Sequence, residues 1–227
     1  RAAVNDWGNQ ITSEPRAQYR AAGGHTPLLI AARSGCTPCV KRLLDAGANI
    51  DRPTPEGVTP LMIAIDNGNY ETANLLLDRG ADPHITDWWG RAALYVAIDM
   101  NSRGTGAGPG PGAGPATRRP VDDAAGAPAG VRFAEGPAPR AVASALQVAQ
   151  RLLEAGVDPN TQLNMHRPGR GGNTARFTDD LLTTGCTPLL RAAWSTDRRA
   201  VELLLAHGAL PDLPNVMGVT PLMAASG

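Results

Sequence analysis

Residues 57–89 read GVTPLMIAIDNGNYETANLLLDRGADPHITDWW. Thr59 is placed to cap a helix, and Pro60 fits a first helical position, where a missing N–H costs nothing. Leu61 to Ile65 then make a short apolar helix, which Gly68 can end in a left-handed conformation. Asn69 is the expected cap of a second helix carrying Ala73, Leu76 and Leu77 at the spacing of a buried stripe. Gly80 stops that helix, and an extended turn leads to Gly90. Each helix falls below the roughly 12–15 residues an isolated helix needs. Such a unit is stable only when stacked on neighbours.

The neighbours are in the chain. Gly24, Gly57 and Gly90 recur every 33 residues. GHTPLLIAARSG (24–35), GVTPLMIAIDNG (57–68), GRAALYVAIDMN (90–101), GCTPLLRAAWST (185–196) and GVTPLMAASG (218–227) align from their first residue. The second helices align as VKRLLDAGANID (40–51), ANLLLDRGADPH (73–84), AQRLLEAGVDPN (149–160) and VELLLAHGALPD (201–212). This pattern resembles the ankyrin repeat in period and in its Thr-Pro-Leu signature. The histidine that follows Thr-Pro-Leu in that family is replaced by Leu29, Met62, Tyr95, Leu190 and Met223. The third unit also has Ala92-Ala93 in place of Thr-Pro, a lost cap worth about 1 kcal/mol.

The expected architecture is therefore an all-α solenoid of helix pairs with short hairpin fingers. Residues 1–23 read as an extended loop from an upstream repeat, with Trp7 and Tyr19 packing it down or meeting a partner. Repeats follow at 24–56, 57–89, 90–184 and 185–217, with a truncated fifth at 218–227. The third is interrupted twice. A Gly/Pro/Ala-rich insertion near 102–143 has too little apolar content to bury a core, and disorder is expected there. Ser144 and Gln147 then resemble a capping box that restarts the helix. The finger at 161–184 is longer than its counterparts by 19 residues and is made basic by Arg167, Arg170 and Arg176.

Acidic and basic side chains balance at 21 each, so no global field recruits nucleic acid. Lys41 is the single lysine, and the Arg, Ala, Gly and Pro usage points to a GC-rich, bacterial source. No apolar run reaches the roughly 18–20 residues of a membrane span. The first residue is Arg1 and the last lies inside a repeat, so a fragment of a longer chain is expected, with the compartment left open.

Candidate chemistry is sparse. Cys36-Thr37-Pro38-Cys39 is a CxxC at a helix N-terminus, open to inert packing, to a disulfide or to thiol redox work. Redox catalysis ordinarily sets CxxC in a βαβ context, which is missing, and no second pair is spaced for zinc. Gly104, Gly106 and Gly108 lack the strand and helix of a phosphate loop. His25, His84, His166 and His207 fall in different units. No catalytic residue, cofactor or metal is expected.

The ankyrin resemblance implies a non-catalytic, monomeric interaction scaffold whose protein partner docks on finger tips and the concave first-helix face. The matching finger positions are Pro55, Glu56 and Val58; Trp88, Trp89 and Arg91; Val216, Met217 and Val219. On the first helices they are Arg33, Ser34, Asp66, Asn67, Asp99, Met100, Trp194 and Ser195. Trp88 and Trp89 stand out, because two indoles on a turn either pack under a neighbouring loop or anchor a partner, with Arg91 a charge at the rim.

Overall fold

The computed structural model describes residues 24–104, 144–164 and 182–226, which form helices and turns only. The expectations for the loop at 1–23, for most of the 102–143 insertion and for the basic stretch of the long finger lie outside these residues. The helices are α1 (Pro27–Ser34), α2 (Thr37–Asp45), α3 (Pro60–Asp66), α4 (Tyr70–Asp78), α5 (Ala93–Gly104), α6 (Ala145–Glu154), α7 (Pro188–Trp194), α8 (Arg198–Ala206) and α9 (Pro221–Ala225). Odd-numbered helices pack on one another in sequence, α1 on α3, α3 on α5, α5 on α7 and α7 on α9. Each of the first four also packs on the even-numbered helix that follows it, and α4 joins α2 to α6.

Helix starts follow the repeated Thr-Pro. The hydroxyls of Thr26, Thr59, Thr187 and Thr220 accept from the N–H of Leu29, Met62, Leu190 and Met223 at 3.1–3.3 Å. α5 starts without such a cap, after Ala92, and its first turn is held by burial instead: Ala92 through Ile98 are all buried. α5 runs to Gly104, past Asn101 where the repeat pattern ends it. The capping box of α6 is present, with Ser144 and Gln147 exchanging side-chain and backbone hydrogen bonds. Asn69 departs from its expected role. Its side-chain amide donates to the Ala32 and Arg33 carbonyls at 3.0 and 2.9 Å, so it closes the end of α1 rather than the start of its own helix.

Leu28, Leu61, Leu94 and Leu189 occupy one register position and are buried between successive units. Leu222 and Met223 of α9, which has no second helix among the described residues, are exposed. On the even helices Leu76, Leu152, Leu153 and Leu204 are buried, whereas Leu44 and Leu77 are only partly so. These two share one register position, and for Leu77 full burial was expected. Exposed ion pairs Arg79–Asp45 and Arg151–Asp78 bridge the even helices and contribute little. Leu76→Ala should cost about 2–5 kcal/mol through lost transfer energy and a cavity. Urea unfolding checks this, and a loss under about 0.5 kcal/mol would place Leu76 outside the core.

Candidate functional site

The fingers carry the site. Each begins with a residue whose backbone N–H donates to the carbonyl four residues on: Thr54 to Val58, Asp87 to Arg91, Asn215 to Val219. The glycine three residues after each turns the chain back. Gly90 must be glycine, since its φ is +77° and an added Cβ would lie 2.7 Å from the Asn164 nitrogen of the next finger. This close approach joins the fingers into a ladder. Trp88 N–H donates to Glu56 O at 3.0 Å, Asn164 N–H to Trp89 O at 2.9 Å, and Val216 N–H to Thr184 O at 2.9 Å. By this register Asn164 and Thr184 are the tip residues of the third finger. In sequence, the inserted 165–183 therefore falls between two adjacent tip positions.

The second finger is built differently from its neighbours. Asp87 Oδ1 accepts from the N–H of Trp89 and of Arg91, at 3.0 and 2.9 Å. Its Oδ2 accepts from Arg91 Nε at 2.6 Å. Both side chains are buried, and burial raises the Asp87 carboxyl above its ordinary value even though the Arg91 charge and hydrogen bonds pull it down. The Arg91 guanidinium lies 5.3 Å from the Trp89 ring centroid, a cation–π contact.

This geometry separates the two indoles. Trp88 is 63% exposed at the tip, while Trp89 is half-buried beside Arg91. Arg91 was expected to offer a charge at the rim of a contact; instead it is buried in the ion pair that holds the turn. Of the other expected contact residues, Arg33 and Met217 are exposed, and Glu56, Asp66, Met100 and Trp194 are half-buried. Val216 is 68% exposed beside Met217.

Asp99, expected on the contact face, is likewise drawn inward. It is 3% exposed, and its Oδ1 accepts from Arg191 Nε at 2.6 Å across the α5–α7 contact. Arg191 additionally donates to Ser195 Oγ, so Ser195 too faces inward. Nearby, Asn101 and Ser102 at the end of α5 donate to Asp197 Oδ2, whose Oδ1 caps α8. A polar seam therefore ties the third unit to the fourth.

Cys36 and Cys39 form a disulfide at the start of α2, and Cys186 is a buried thiol whose Sγ donates to the Thr187 carbonyl at 3.5 Å. Among the described residues no group of three or more His, Cys, Asp or Glu side chains is placed to hold a metal ion, and no helix is long and apolar enough to cross a membrane.

The family model for ankyrin repeats in three copies matches residues 8–87, and the single ankyrin repeat model matches residues 184–216. The unit between them, with both insertions and Ala92-Ala93, lies outside these matches, yet its helices α5 and α6 continue the stack. No curated protein matches the chain.

Proposed function

The chain is a member of the ankyrin repeat family, and from that premise we propose a non-catalytic scaffold whose protein partner docks on the finger tips with Trp88 as its anchor. Ankyrin repeats are in general protein–protein interaction modules. The observation that carries the reading is Trp88 itself. An indole 63% exposed on a turn fixed by Asp87 has no share in the core. Burying such an area is worth about 25 cal/mol per Å², and tryptophan is enriched at binding hot spots. Glu56 lies alongside it on the ladder, and Val216 and Met217 extend the tip row beyond the third finger with further exposed apolar surface. Arg33, Asp66, Met100 and Trp194 continue the surface along the odd-numbered helices.

Trp88→Ala is expected to weaken partner binding at least tenfold while leaving the unfolding midpoint unchanged. Trp89→Ala should instead lower stability, because Trp89 packs beside Arg91. Affinity capture and calorimetry with both variants check this pair of outcomes. Full binding by Trp88→Ala would move the anchor elsewhere.

A further inference from the structure

We propose that Cys36–Cys39 is a reversible thiol–disulfide exchange site, with a vicinal dithiol as its reaction partner, and that its oxidation state sets the order of α2. The start of α2 differs from those of α6 and α8. Cys36 is its N-cap residue and makes no capping hydrogen bond through its side chain. Ser144 and Asp197, at the same place on α6 and α8, accept from backbone N–H groups of the first turn. On α6 the cap and the third helical residue, Ser144 and Gln147, form a reciprocal capping box. On α2 the same two positions are Cys36 and Cys39, and a covalent bond stands where the box would be. The disulfide closes the turn that starts the helix, and a hydroxyl contact from Thr37 to Thr72 on α4 passes that constraint to the next unit.

The site is open to exchange. Cys39 lies at the surface and Cys36 is half-buried. A thiolate of the partner dithiol attacks Cys39 Sγ, the Cys36–Cys39 bond breaks, and Cys36 leaves as a thiolate beside the first-turn amides, where an anion is stabilised. The partner's second thiolate then attacks its own sulfur in the mixed disulfide and expels Cys39. Two electrons pass to the chain, both cysteines end as thiols after taking up two protons, and the partner ends as a disulfide. Oxidised glutathione reverses the change.

Hydrogen exchange by mass spectrometry on the full chain, oxidised with glutathione disulfide or reduced with dithiothreitol, tests this. Alkylation should label both Cys36 and Cys39 only after reduction, and glutathione disulfide should restore protection from alkylation. Amide exchange in α2 should rise roughly 5- to 30-fold on reduction, the factor expected for a lost cap, with α8 unchanged. C36S/C39Q, which copies the α6 box, should keep α2 protected with or without dithiothreitol. Equal α2 exchange in the oxidised and reduced wild-type chain, or failure of the bond to re-form, would overturn the proposal.

Discussion

Asp99→Ala is expected to destabilise the protein by about 3–5 kcal/mol, the cost of leaving one member of a buried ion pair without its partner. Arg191 occupies a register position held by Ile63 and Val96 in the second and third units, and it is buried like them. Its guanidinium is compensated there by Asp99 and Ser195. Truncating Asp99 leaves the charge in place and removes the carboxylate. The penalty is one of desolvation, so exchanging both members should behave differently from removing one. Asp99→Asn with Arg191→Met is expected to recover at least half of the loss. Urea unfolding of Asp99→Asn, Arg191→Met and the double variant measures the coupling, and the slopes must agree for the comparison to hold. Additive losses would mean that the pair is not an energetic unit.

The Asp87–Arg91 pair gives a second large effect with a built-in control. Asp87→Ala removes the acceptor for the Trp89 and Arg91 amides and strands Arg91, again at about 3–5 kcal/mol. The fourth unit shows a neutral solution to the same turn. Asn215 accepts from the N–H of Met217 and of Val219 at 3.0 Å, and Val219 stands where Arg91 does. Asp87→Asn with Arg91→Val copies that arrangement and is expected to be neutral or stabilising by about 1–4 kcal/mol. A pH dependence follows. The folded carboxyl titrates above its unfolded value of about 4, so between the two values the folded state binds more protons. The stability that Asp87 contributes is full below the unfolded value, falls as pH rises through the folded one and is flat beyond. The double variant should therefore gain on the parent across that window. A constant difference from pH 3 to 7 would show that the Asp87 carboxyl is not raised.

The repeat was legible because stacking constrains residue type at fixed intervals. Thr-Pro at helix starts and the glycine every 33 residues have direct structural causes in the hydroxyl caps and in the close approach of adjacent fingers. The errors at Arg91 and Asp99 have one source. Family contact positions are surface positions only where a neighbour does not draw the side chain inward. A usable signal was present: Arg91 aligns with Val58 and Val219, and Arg191 with Ile63 and Val96. A charge at a register position that is apolar in the neighbouring units needs a buried counter-charge, and an aspartate lies within reach in each case, four residues away for Arg91 and one unit away for Arg191. Asn69 was misread for a related reason, since capping rules treat a helix alone and its amide is drawn to the open end of α1. The division of labour between Trp88 and Trp89 depends on which ring meets Arg91, and residue order does not encode that.

Hydroxyl-radical footprinting of the partner complex tests the central claim most directly. Trp88 and Met217, both exposed in the free chain, should lose labelling on complex formation, while Leu205 and His207 at the end of α8 keep theirs. Protection at Leu205 and His207 with Trp88 and Met217 still labelled would place the partner on the even-helix face and contradict the account.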